Sequence, residues 1–140
     1  MEETGRIEEK LADIRGYLQE LDGRVPATFE EYKSADLMLK RTVERDLQLI
    51  NDSEIDVLAM LVKMKELSIA SSEEALIDRF NKILSRGTVS HLKEFRRLRN
   101  MLTHAYKSES YDESVFNSAR KLGAVRDFIK DAEKLIRDRG

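Results

Sequence analysis

A chain of 140 residues, 41% of them apolar and only one a proline, is long enough for one well-packed helical domain and too short for two. The absence of cysteine excludes disulfides and thiolate metal sites, and a net charge of −2 argues against a protein that coats nucleic acid through bulk charge. No apolar run approaches the roughly 18 residues that a membrane span needs, and the acidic N-terminus has no leader pattern, so we expect a cytoplasmic protein without membrane contact.

The N-terminal half has the periodicity of amphipathic helices. The first helix is predicted over residues 2–22 and is ended by Gly23, and Thr28 with Glu31 has the pattern of a capping box that opens a short helix. A long helix is predicted over residues 36–66. Its middle, Asn-Asp-Ser at 51–53, is polar, and we expect it to be solvated, with a kink or a polar cavity as the alternatives.

Three more helices are predicted in the C-terminal half. Ser71 and Glu74 form a second candidate capping box, and the helix that it opens is expected to continue through Leu84 and stop at Gly87. The next helix is predicted to start near Ser90, and the last to span residues 112–137. Together these elements predict an all-α fold, an up-and-down bundle of four main helices plus a short one, with residues 1–140 as a single domain.

Residues 99–106, Arg-Asn-Met-Leu-Thr-His-Ala-Tyr, hold the densest set of reactive side chains. At 100° per residue, one face of this helix is apolar and must point into the bundle; it holds Phe95, Leu98, Met101, Leu102 and Ala105. The opposite face is polar and is expected to be free; it holds Arg96, Arg97, Arg99, Asn100, Thr103, His104 and Tyr106. Asn100 and His104 are four residues apart, so their side chains can touch.

Basic residues concentrate around this polar face. Residues 86–107 contain six of them and one acidic residue, Glu94; the six are Arg86, Lys93, Arg96, Arg97, Arg99 and Lys107. The sequence therefore predicts a local basic patch on a chain that is acidic overall.

An arginine and a histidine without metal ligands suit RNA cleavage by internal transesterification, in which the ribose 2′-hydroxyl attacks the adjacent phosphate. The imidazole of His104 can take or give the proton near neutral pH, and the guanidinium of Arg99 can bind the phosphate oxygens. One histidine does not conveniently both remove and donate the proton, but a symmetric dimer brings two copies of His104 and Arg99 to one cleft. His91 has no evident further ligand, so no metal site and no cofactor are expected. The alternative on these residues alone is a merely solvated polar face.

The run Arg99-Asn100-x-x-x-His104-x-Tyr106 resembles the Arg-x4-His-x-Tyr signature of HEPN-domain proteins. It is most similar to the HepT group, whose members pair with minimal nucleotidyltransferases of the MntA kind. Residues 30–32, 42–48 and 111–112 also resemble that group, so the similarity covers nearly the whole chain. The polar residues 51–53 depart from the group's pattern.

This resemblance implies an HEPN-like homodimer that acts as the endoribonuclease toxin of a type VII-like toxin–antitoxin system, independent of metal. It implies that Arg99 and His104 are catalytic, that Asn100 supports them, and that an MntA-type antitoxin silences the toxin by transferring AMP to Tyr106. The residues expected to bind RNA are Arg96, Arg97 and Lys107. One alternative is a non-catalytic, nucleotide-binding accessory subunit of a minimal nucleotidyltransferase, and another is a helical dimer without a ligand.

Overall fold

The structure is a computed structural model that describes residues 2–102 and 109–138. Over these residues the regular secondary structure is helical throughout, which confirms the predicted all-α class. The helices in chain order are α1 (Glu2–Leu21), α2 (Phe29–Lys33), α3 (Leu37–Met64), α4 (Glu73–Asp78), α5 (Arg86–Leu102), α6 (Glu109–Ala119) and α7 (Gly123–Arg137). None of these described helices combines the length and apolar character required to cross a membrane.

Four long helices form the bundle. Helix α1 packs along α3, α3 along α5, and α5 along α7, while an ion pair between Arg15 and Glu133 joins α7 back to α1. The short α2 lies against α6, where Tyr32 and Phe116 bring their ring centroids to 5.7 Å. The long α3 contacts both α1 and α5, so it lies at the centre of the bundle.

The predicted helix boundaries of the N-terminal half are confirmed. Gly23 has a φ of 81°, in the left-handed region that glycine adopts without steric cost, two residues past the end of α1. The Thr28 side chain accepts a hydrogen bond from the backbone N–H of Glu31 at 3.2 Å and so caps α2. Both signals lie within a few residues of the boundary that they set.

The predicted boundaries around α4 are wrong. Ser72, and not Ser71, caps α4, because its hydroxyl accepts a hydrogen bond from the backbone N–H of Ala75 at 3.1 Å. The helix then ends at Asp78 instead of continuing through Leu84. Residues 79–84 continue in tight turns with hydrogen bonds between residues three apart, which bury Phe80 and leave Ile83 exposed.

Gly87 does not end a helix, because α5 already begins at Arg86 rather than near Ser90. The start of α5 is held by a distant carboxylate: Asp131 of α7 accepts hydrogen bonds from the backbone N–H of Ser85 at 3.1 Å and from the Thr88 hydroxyl at 2.9 Å. The Asp131 partner is 46 residues away from Ser85 and could not be predicted locally, although Ser85 itself, directly before Arg86, is a residue type favoured at helix starts.

The single helix predicted over residues 112–137 is also wrong, because it is two helices, α6 and α7, with a break at residues 120–122. The hydrogen bonds of Arg120 and Lys121 to carbonyls three residues back tighten the chain there. The break lets the two segments pack differently: both contact α5, and α6 also packs on α2 and α3.

Candidate active site

The apolar face of α5 points into the bundle, as its spacing predicts. Phe95 and Leu98 are buried, and Met101 is partly buried against the core. This orientation carries Arg99 around to the side of α5 that faces α3 and α4.

Arg99 is held between two carboxylates. Its Nη1 donates a hydrogen bond to Asp52 Oδ1 of α3 at 3.2 Å, and its Nη2 donates one to Glu73 Oε1 of α4. The Arg99 side chain is only 17% exposed. Partial burial by itself lowers the pKa of Arg99, but hydrogen bonding and charge from Glu73, and then from Asp52, outweigh it and raise that pKa. The guanidinium is therefore charged and fixed in direction.

The basic face of α5 is therefore less open than its sequence suggests. Arg96 Nε lies 3.5 Å from the same Glu73 oxygen that Arg99 contacts, and Lys93 Nζ lies 3.4 Å from Asp78 Oδ1. Arg97 is exposed, as expected for an RNA-binding residue. The expectation of a free polar face is thus wrong at Arg96 and Arg99, whose charges are balanced by carboxylates from other helices.

The polar stretch 51–53 is expected to be solvated, and this prediction is wrong at Asn51 and Ser53, which lie on the side of α3 that packs against its neighbours. Asn51 and Ser53 are buried, and Asp52 between them reaches Arg99. The helix runs through these residues without interruption. Asp52, in the middle of this stretch, therefore supplies part of the arginine site.

A buried hydrogen-bonded pair lies two helical turns from Arg99. His91 Nε2 of α5 and Glu54 Oε2 of α3 are 2.7 Å apart, and both residues are almost fully buried. The His91 ring lies against Phe95, with centroids 4.1 Å apart. Sequence reasoning missed this pair although a signal existed: Glu54 falls four residues after Ile50 and three before Val57, on the buried line of α3.

The first turn of α6 is also fixed to α3. The Tyr111 hydroxyl donates a hydrogen bond to Glu44 Oε1 at 2.8 Å, and Lys40 Nζ lies 3.4 Å from Asp112 Oδ2. Burial, and next the hydrogen bond to Glu44, raise the pKa of Tyr111, so this tyrosine stays protonated. The chain is thus attached to α3 both before the rest of the motif, at Arg99, and after it, at Tyr111.

Of the remaining site residues, the structure describes only Asn100. Asn100 is exposed beside Arg99 on α5. His104, Tyr106 and Lys107, like Thr103 and Ala105, lie outside the described residues, so the roles expected for them stay predictions.

Several solved structures of toxin–antitoxin pairs contain a chain with a similar fold. A tri-AMPylated HEPN toxin of Shewanella oneidensis, in complex with an MNT antitoxin, superposes with a TM-score of 0.78 at 22% identity, covering 91% of this chain and 96% of that one. A toxin–antitoxin structure with AMP-PNP gives a TM-score of 0.76 at 22% identity, covering 90% and 96%. A mutant of the MntA–HpeT toxin–antitoxin pair gives 0.77 at 21%, covering 91% and 98%.

The family model described as ribonuclease HepT-like matches residues 7–132 of this chain. The chain therefore belongs to the HepT-like ribonuclease family. No curated protein sequence matches it.

Proposed function

We propose that this protein, as a single domain, is a cytoplasmic endoribonuclease toxin that cleaves RNA without a metal ion. The observation that carries the proposal is Arg99, a charged guanidinium held in direction by Asp52 and Glu73 within a HepT-like ribonuclease chain. Arg99 and His104 are its catalytic residues. Asn100, next to Arg99 and one turn before His104, supports them.

In the proposed reaction, the ribose 2′-oxygen attacks the adjacent phosphorus while one imidazole removes its proton. The bond from phosphorus to the 5′-oxygen breaks, and a second imidazole gives that oxygen a proton. Arg99 binds the non-bridging oxygens as their charge grows. The products are a 2′,3′-cyclic phosphate and a 5′-hydroxyl, and no metal is needed to balance the step.

Two imidazoles in one cleft require two copies of the chain. We therefore propose a symmetric homodimer in which the two copies of His104 and Arg99 share a cleft. Phosphates on either side of the cut would contact Arg96, Arg97 and Lys107.

We further propose that an MntA-type nucleotidyltransferase controls this toxin. The Shewanella toxin of this fold is described as tri-AMPylated and in complex with an MNT antitoxin, which supports an equivalent modification here. In that step the Tyr106 oxygen attacks the α-phosphorus of ATP and pyrophosphate leaves. The added phosphate would compete with RNA for Arg99.

Cleavage products give a direct test of the ribonuclease proposal. We expect RNA cleavage to continue in excess EDTA, to leave 2′,3′-cyclic phosphate and 5′-hydroxyl ends, and to stop when the 2′-hydroxyl at the cut site is replaced by hydrogen. Cleavage that needs added Mg²⁺, or that also cuts the 2′-deoxy substrate, would contradict the mechanism. Saturable nucleotide binding with no cleavage of any RNA would instead support the accessory-subunit alternative.

The modification proposal is tested by mass. Incubation with ATP and the partner nucleotidyltransferase is expected to raise the protein mass by whole AMP units, and Tyr106→Phe is expected to abolish the gain because it removes the acceptor oxygen. Tyr17→Phe is the matched control, since Tyr17 is partly exposed on α1, away from the motif. An adduct that persists in Tyr106→Phe would place the modification elsewhere.

A further inference from the structure

We propose that the Glu73 carboxylate occupies the position on Arg99 that an RNA phosphate takes, and that it must leave when RNA binds. Asp52, by contrast, is a positioning residue that keeps its contact with Arg99 throughout. This inference rests on the proposed RNA cleavage at Arg99.

The Glu73 carboxylate lies between two guanidinium groups, a position suited to an anion. A single oxygen, Oε1, accepts a hydrogen bond from Arg99 Nη2 and lies 3.5 Å from Arg96 Nε, so two guanidinium groups from successive turns of α5 converge on it. A phosphodiester also offers negatively charged oxygens to paired arginines. Phosphate and the Glu73 carboxylate therefore compete for the same donors.

The two carboxylates on Arg99 differ in their freedom to move. Asp52 lies in the middle of the 28-residue α3, between two buried neighbours, and its short side chain has little reach. Glu73 is the first residue of the six-residue α4 and has one more rotatable bond in its side chain. Both side chains can be solvated, since Glu73 is 36% and Asp52 46% exposed, so the difference in freedom lies in side-chain length and in the place of each residue in its helix.

Displacement of Glu73 also changes the charge that RNA meets. With Glu73 in place, Arg96 and Arg99 share one carboxylate and Arg99 has a second. When Glu73 turns away, Asp52 still balances Arg99, while Arg96 loses the carboxylate that it shares. One unit of positive charge becomes available for one phosphate, and the Arg99 side chain keeps its orientation through Asp52.

Three substitutions separate these roles. Glu73→Gln removes the competing charge and keeps the side-chain shape, so we expect the KM for RNA to fall about 3- to 10-fold with kcat retained. Asp52→Asn is expected to lower kcat about tenfold with little change in KM, since Arg99 loses a charged partner that directs it. Asp78→Asn is the matched control, because Asp78 pairs with Lys93 across the same two helices and does not contact Arg99.

The same variants should also be measured for binding of an RNA whose cut site carries a 2′-O-methyl group, which cannot be cleaved. Glu73→Gln is expected to bind this RNA about 3- to 10-fold more tightly than the wild type, and Asp78→Asn with less than a twofold change. Tighter binding without any cleavage of unmodified RNA would refute the ribonuclease proposal and retain the competition. Cleavage by the wild type combined with unchanged or weaker binding by Glu73→Gln, or an equal gain in Asp78→Asn, would overturn the role of Glu73 alone.

Discussion

Alanine at Arg99 is expected to lower the rate of RNA cleavage by about 10²- to 10⁴-fold, because it removes the guanidinium that is proposed to bind the phosphate oxygens as their charge grows. The fold should survive this change. Asp52 and Glu73, the two carboxylates that Arg99 leaves behind, are 46% and 36% exposed and can be solvated in place. We therefore expect the free energy of unfolding to change by no more than about 1 kcal/mol.

The measurement is a single-turnover cleavage rate with excess enzyme, paired with growth inhibition in cells and a thermal unfolding midpoint. His104→Ala is expected to lose as much activity as Arg99→Ala, because it removes the proton-transfer group. Arg97→Ala is the matched control: Arg97 is exposed on the same helix, and its loss should raise KM by only a few-fold, the effect of about one phosphate contact. An Arg99→Ala protein that cleaves at the wild-type rate would remove Arg99 from the catalytic pair.

Mixed dimers extend this prediction to the shared cleft. A dimer with one wild-type and one His104→Ala protomer is expected to lose most of its activity, since the cleft then has one imidazole for two proton transfers. Half of the wild-type activity in that mixed dimer would show that each protomer holds a complete site.

The orientation of Arg99 could be predicted from the sequence only in part. The spacing of Phe95, Leu98 and Met101 is a local pattern, and it correctly placed Arg99 off the apolar face of α5. Its partners could not be predicted, because Asp52 and Glu73 lie 47 and 26 residues away along the chain. Counting charges along one segment therefore overestimated how much of the basic patch is free.

Helix boundaries show the same division between local and distant causes. Thr28 and Gly23 set boundaries through their own backbone and side chain, and both predictions are confirmed. The start of α5 is held by Asp131 of α7, and the break after α6 lets α6 reach α2 and α3 as well as the α5 that α7 packs on. These causes exist only once the bundle has formed, so residue patterns near the boundary do not contain them.

Replacement of His91 by alanine is expected to cost the most in stability among the polar residues of α5. Glu54 is fully buried, and His91 is its one hydrogen-bond partner among the described residues, since Glu54 Oε1 has none there. Removing His91 leaves the buried Glu54 side chain without its hydrogen-bond partner, and an unsatisfied buried polar group typically costs about 1–3 kcal/mol. Lys93→Ala is the matched control on the same helix: its pair with Asp78 is nearly half exposed on both sides, so its loss should cost less than about 1 kcal/mol.

Urea unfolding at one fixed protein concentration measures both variants and removes any effect of dimer dissociation. Equal, small losses in the two variants would show that Glu54 finds another partner when His91 is absent.

The His91–Glu54 pair also affects the position of Arg99. His91 and Arg99 are two turns apart on α5, and their partners Glu54 and Asp52 are two residues apart on α3. The buried pair therefore helps to fix how α5 lies on α3, and with it the position at which Arg99 meets Asp52. A folded variant with a weakened Glu54–His91 pair, such as Glu54→Gln, should therefore lose cleavage activity together with stability, although neither residue touches RNA.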